Sequence, residues 1–137
     1  MTREAPCQKV SLFDLVNRLI STDVLSAKYS NMVRNDIPPE LAVNADENML
    51  AYVLWNLIYS AVTSIHEDSI HIEALTFEDR TVIRIRDLGT YFYHTISQEY
   101  RKVQYVAEKL GGSVRFNQDT HFGANASLVL SNSLLSA

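Results

Sequence analysis

Cysteine is nearly absent: the chain has 137 residues and one cysteine, Cys7. A disulfide framework within the chain is excluded, and a reducing compartment is the default expectation. Long apolar runs are missing too. None approaches the roughly 20 residues that a membrane span needs, and the opening MTREAPCQKV lacks the apolar core of a secretory signal. A cytoplasmic protein with no membrane partner is expected. Positive charge is in deficit, with 12 Lys and Arg against 16 Asp and Glu and a net charge of -4. That balance argues against non-specific nucleic-acid binding, which needs a basic face. Glycine is scarce, at 4 residues. There is no Gly-x-x-x-x-Gly-Lys-Ser/Thr loop and no Gly-x-Ser-x-Gly elbow. GGSVRF is no dinucleotide fingerprint, because that turn follows a strand and opens a helix. His66, His71, His94 and His121 have neither helical i, i+4 spacing nor a cysteine partner, so no structural zinc site is expected.

What remains is ordinary globular composition, 47% hydrophobic and 20% charged, in a length that fits one domain over residues 1–137. No repeat or low-complexity tract interrupts it. SLFDLVNRLISTDVLSAKY carries Leu12, Leu15, Val16, Leu19 and Ile20 at helical spacing, with Ser11 as N-cap and Asp14 three residues on. Met32 and Val33 suit a short strand that Pro38-Pro39 brings to an end. Asp46 caps a second helix, ENMLAYVLWNLIYSAVTSI, in which Leu50, Val53, Leu54, Leu57, Ile58, Ala61 and Ile65 make a wide apolar face, with Trp55 in the core. SIHIEALTF sets Ile70, Ile72 and Ala74 against His71 and Glu73. TVIRIRD sets Val82, Ile83 and Ile85 against Arg84 and Arg86, and residues 78–80 form the hairpin turn between these two strands. A third helix over residues 98–110 aligns Val103, Val106, Ala107 and Leu110 before Gly111-Gly112 stops it. SVRFN and NASLVLSN close the chain as strands, joined by a turn that contains Gly123. Strands joined by short turns require antiparallel pairs. The expected fold class is α+β: a two-layer α/β sandwich with a mixed sheet of about five strands and three helices on one face.

The order of these elements and four short stretches resemble the ATP-binding domain of sensor histidine kinases, in the GHKL (Bergerat-fold) superfamily. In NADENMLAYVLWNLIYSAV, Asn56-Leu57 and Ala61 match the family's Asn-Leu-x-x-Asn-Ala, with Ser60 in place of the second Asn. In VIRIRDLGT, Asp87 and Gly89 match Asp-x-Gly-x-Gly, with Tyr91 in place of the second Gly. VQYVAEKLGGSVRF resembles the helix, Gly-Gly and strand that follow the second glycine box. FGANASLVL keeps Gly123 of a Gly-x-Gly-Thr motif but has Asn125 and Ala126 after it.

The resemblance implies a nucleotide cleft made of Asp87, Gly89, Asn56, Ser60 and Gly123. It makes Asp87 the acceptor for the adenine amino group, a role suited to an acceptor-only carboxylate. As a turn residue before glycine, Asp87 has a purely structural reading as well. The resemblance puts Asn56 near the phosphates; the alternative is an Asn satisfied by backbone groups. Ser60 stands at the magnesium ligand. Its hydroxyl reaches less far than an amide oxygen, and magnesium tolerates little distortion of its octahedron. Thr63 and Ser64 stand where active members carry a Lys and an aromatic residue. The glycine box that should open the third helix falls at Ser97-Gln98-Glu99-Tyr100, with no glycine and with a carboxylate where phosphates would sit. Only residues 88–96 remain for the lid, and Tyr91, Phe92, Tyr93 and Tyr100 are expected to crowd the cleft.

Three functions are compatible with this pattern. The favoured one is a degenerate domain, without productive Mg-ATP binding and without a catalytic residue or metal. It would act by binding a signalling protein such as a response regulator or kinase. The second is a working ATP-binding domain with drifted motifs, with ATP and magnesium as cofactors. The third is a small-molecule sensor that holds a purine through Asp87. His66-Glu67 echoes a phosphoacceptor but follows a helix end, where no dimerising hairpin exists. Arg84, Arg86, Arg101 and Lys102 are candidates for a small basic patch, or for a solvated face.

Overall fold

Apolar residues sit almost all the way round the segment from Glu47 to Thr63, and such a helix is stable only when enclosed. The computed structural model, which describes residues 8–21, 32–63, 69–88, 96–119 and 123–131, encloses it. This helix, α2, buries Leu50, Val53, Leu54, Leu57, Ile58, Ser60, Ala61 and Val62. Each fully buried Leu or Ile contributes about 1.5–3 kcal/mol through removal of apolar surface from water. Its start is fixed as expected, since the Met49 N–H donates to Asp46 Oδ1 at 3.1 Å. Trp55 is only half-buried, stacked on Tyr59 one turn later at 5.6 Å between centroids.

The other described helices are α1 (Leu12–Ile20) and α3 (Tyr100–Lys109). Ser11 Oγ accepts the Asp14 N–H at 3.3 Å, the capping contact expected from sequence. The helix is shorter than its periodic segment. It closes at Ile20, where the Ser21 N–H and Oγ both donate to the Asn17 carbonyl. At the end of α3, Gly111 adopts φ 85, a left-handed conformation that costs glycine little. Gly112 follows at a point where an added Cβ would collide with the Val129 carbonyl oxygen.

Five strands form one mixed sheet: β2 (Val33–Asn35), β4 (Ile70–Phe77), β5 (Arg80–Leu88), β6 (Gly112–Asp119) and β7 (Gly123–Ser131), in the order β2-β4-β5-β7-β6. β2 runs parallel to β4, and the other neighbours are antiparallel. This is the expected α+β class. Two short strands that sequence did not indicate, β1 (Gln8–Ser11) and β3 (Ala42–Ala45), pair antiparallel as a separate sheet. Inward positions of the main sheet are apolar: Ile70, Ile72 and Ala74 on β4, Ile83 and Ile85 on β5, Ala126, Leu128 and Leu130 on β7, and Val114 on β6 are all buried.

Period-two geometry corrects one expectation. Val82 cannot share a face with Ile83 and Ile85; it pairs with Leu75 and lies on the opposite side of the sheet. Thr81 takes the inward place, 1% exposed and bonded to Thr76 at 3.2 Å between hydroxyls. The final strands are also longer than SVRFN and NASLVLSN. Gly123 is not a turn residue but the first residue of β7, opposite Asp119. Between β4 and β5 only Glu78 and Asp79 turn the chain, and Glu78 has φ 55.

β6 is an edge of the sheet, and α3 braces it. Gln104 accepts the Val114 N–H at 2.8 Å and donates to the Val114 carbonyl at 3.2 Å and to the Tyr100 hydroxyl at 2.9 Å.

Candidate functional site: the end of the central strands and the start of the third helix

Alternating pairing carries β5 regularly along β7 until Arg86, opposite Asn125; the next pair is Leu88 with Ala124. The register shift leaves Asp87 as the extra residue of a bulge, a device that re-aims backbone and side chain beside many functional sites. Leu88 pairs with Ala124 and Gly123 begins β7 one residue before it, so Asp87 and Gly123 belong to the same end of the central strand pair. Gly89 and the segment with Tyr91, Phe92 and Tyr93 lie outside the described residues, as do His66-Glu67 and Ser64.

Asn56 and Ser60 are one turn apart on α2, which packs against α3 and β5. Asn56 is half-buried and donates from Nδ2 to the Tyr52 carbonyl at 2.8 Å. That bond uses one amide hydrogen and does not involve Oδ1. Ser60 is 6% exposed. Thr63 Oγ1 donates back to Tyr59 O at 2.8 Å and lies 3.3 Å from Ser60 O. Among the described residues there is no cluster of three or more His, Cys, Asp or Glu that could hold a metal ion.

The start of α3 is described in full. Ile96 is 2% exposed, anchoring the turn, and its carbonyl accepts the Glu99 N–H at 2.9 Å. Ser97, Gln98 and Glu99 are exposed. Glu99 is the N-cap residue, with no side-chain capping bond, and the first turn holds no acidic residue. Tyr100 packs on Phe116 of β6, with ring centroids 5.4 Å apart, and receives the Gln104 amide.

Two concavities lie elsewhere. One, of about 580 Å³, sits between β3 and the β4–β5 pair, with Lys9, Glu40, Asn44 and Thr81 on its walls. The other, of about 260 Å³, lies where β6 leaves α3, between Arg80 and Arg115. Among the described side chains, neither Asn56 nor Ser60 lines them.

The basic patch suggested by sequence does not assemble. Arg101 and Lys102 are in the first turns of α3, whereas Arg84 and Arg86 lie on the opposite face of the sheet, which no described helix covers. Glu73 lies with them, 3.4 Å from each. Sequence reading missed Arg34, Arg80 and Arg115, which share this face. Strand alternation was available for each strand singly, but their assembly depends on register between strands distant in sequence.

No known family's profile matches the chain, and no curated protein matches it in sequence. Solved structures do. The chain is similar to the Acinetobacter baumannii histidine kinase AdeS, with TM-score 0.74 and 12% identity over 94% of this chain and 68% of that one. It is similar to the catalytic domain of histidine kinase ThkA in a nucleotide-free form, with TM-score 0.70 and 15% identity over 92% of this chain and 95% of that one. It is also similar to the histidine kinase domain of the E. coli osmosensor EnvZ, with TM-score 0.66 and 15% identity over 96% and 92% of the two chains. At such identities the likeness is one of fold. The chain has the fold of histidine-kinase ATP-binding domains.

Proposed function

We propose that this chain is a degenerate histidine-kinase-type ATP-binding domain that does not use Mg-ATP and acts in the cytoplasm by binding another signalling protein, such as a response regulator or kinase. The start of α3 carries this reading. In the fold family, this is where backbone N–H groups receive phosphates, and that task needs glycine for close approach and a helix terminus open to an anion. Here the turn before the helix is held by buried Ile96, contains no glycine, and ends on exposed Glu99. A carboxylate at that terminus repels an incoming phosphate and offsets the helix dipole that would attract one.

The residues on α2 fit magnesium nucleotide no better. Asn56 donates one amide hydrogen to Tyr52 O, which holds the side chain along its own helix. Ser60, at the metal position, is 6% exposed and offers a short hydroxyl to an ion that demands near-ideal octahedral geometry. Tyr59 and Tyr105, 40% and 60% exposed, add surface of the kind enriched at protein interfaces.

The bulge at Asp87 favours a second reading, a purine held at that strand end without its phosphates. Calorimetry with ATP and ADP, with and without magnesium, separates these. No heat at millimolar nucleotide is expected. Magnesium-dependent micromolar binding overturns the proposal in favour of a working kinase domain, and Asp87→Asn should then abolish it. Binding indifferent to magnesium selects the purine site.

A further inference from the structure

The sheet has a second face that no described element covers. Register places the outward residues in rows across the strands. One row runs Glu73, Arg84, Ser127, Arg115; the next runs Leu75, Val82, Val129, Ser113; Arg80 and Ser131 follow beyond it. On the other side lie His71, Arg86 and Asn125, with Arg34 beside His71 on β2. The result is an apolar row bordered on both sides by arginine.

The charge of this face opposes that of the chain. Arg34, Arg80, Arg84, Arg86 and Arg115 stand there against Glu73 and Asp36, whose Oδ2 lies 3.2 Å from His71 Nδ1. Among the described side chains of this face, five positive and two negative give +3, on a protein whose total is -4. Glu73 engages Arg84 and Arg86, while Arg34, Arg80 and Arg115 have no carboxylate partner among the described residues. Leu75 is 44% exposed, a large apolar side chain left in water. The 260 Å³ concavity lies between Arg80 and Arg115, over Val129, with Ser113 and Ser131 on its walls.

We infer that this face docks an acidic protein segment that presents carboxylates on either side of an apolar side chain. Arginine grips carboxylates in a planar, bidentate fork and is enriched at interfaces. The Leu75–Val82–Val129 row supplies the apolar contact that a purely electrostatic site lacks. Single-stranded nucleic acid, whose recognition relies on runs of aromatic stacking platforms, finds Leu75, Val82 and Val129 in the central row of this face, with no ring among them. The inference names a surface for the interaction role proposed above, and so rests on that reading.

The test is an amide NMR titration of the whole chain with a synthetic peptide of alternating Glu and Leu. An all-Glu peptide and an oligothymidylate of matched charge serve as controls. Shifts confined to outward positions of β5, β6 and β7, weakened about tenfold or more by the R80E/R115E double variant, are expected. Equal binding of the all-Glu peptide or the oligothymidylate overturns the inference, because it would make the face a general polyanion surface. Absence of shifts, or an unchanged affinity in the variant, overturns it too. Mg-ATP added to the same sample is a separate readout. Shifts at Asn56, Ser60 and Asp87 would sink the proposed loss of nucleotide binding and leave the peptide result intact.

Discussion

At its C-terminal end α3 stops on Gly111 at φ 85, with the Leu110 N–H on Val106 O and Ala107 O and the Gly111 N–H on Glu108 O. Lys109 lies in the last turn, where a cation suits the helix dipole. At its N-terminal end the same helix begins at Glu99 with no side-chain cap and no acid in the first turn. Arg101 and Lys102 sit there instead, against the dipole. One end is specified by every local rule and the other by almost none. The specified end makes the link to β6, on which the sheet depends. The unspecified end is the one on which the proposed loss of nucleotide binding rests. A protein that needs the fold and not the nucleotide would keep the first and let the second go.

Substitutions along α3 can break that contrast. The largest effect belongs to Gly112→Ala. The new Cβ meets backbone, which cannot swing aside as a side chain can. A loss of about 3 kcal/mol, the upper range for overpacking, should appear in urea melts. A change within error would mean that the junction with β7 is loose. Gly111→Ala comes next, with an expected cost of about 1–2 kcal/mol for forcing an L residue left-handed. An unaltered melting curve would deny the conformation at Gly111. The smallest effect belongs to Glu99→Ser, expected within about 0.5 kcal/mol of the parent, because Glu99 has φ -100 and ψ -3 and a serine there lacks the extended backbone of a side-chain cap. A larger loss would mean that Glu99 has a partner that the contrast between the two ends overlooks.

The legible parts of this molecule were those decided by neighbours in sequence. Ser11 and Asp46 announced their helices because a cap and its N–H are three residues apart. Ile70, Ile72 and Ala74 alternated because a strand has two faces. Val82 was misread since a Val beside two Ile resembles one apolar run; only the pairing with Leu75 puts it outside. β1 and β3 stayed hidden because each has 4 residues and finds its partner far along the chain. The candidate site followed the same division. Asp87 at a strand end and the glycine-free start of α3 could be read directly. The pairing of Asn56 with Tyr52 O and the diversion of Tyr100 onto Phe116 could not. The arginine face was hidden most thoroughly. Net charge is a sum over the whole surface, and a total of -4 conceals a face of the opposite sign.

Gln104 has a consequence for how copies of this protein meet. β6 ends the sheet, and a terminal strand normally offers its amides and carbonyls to any extended chain that arrives. Val114, in the third position of β6, has both groups already taken by one glutamine side chain. An incoming strand finds a gap in the ladder at that residue and must break two bonds to bridge it. The helix beside the edge thus works as a stopper against end-on growth of sheets into filaments.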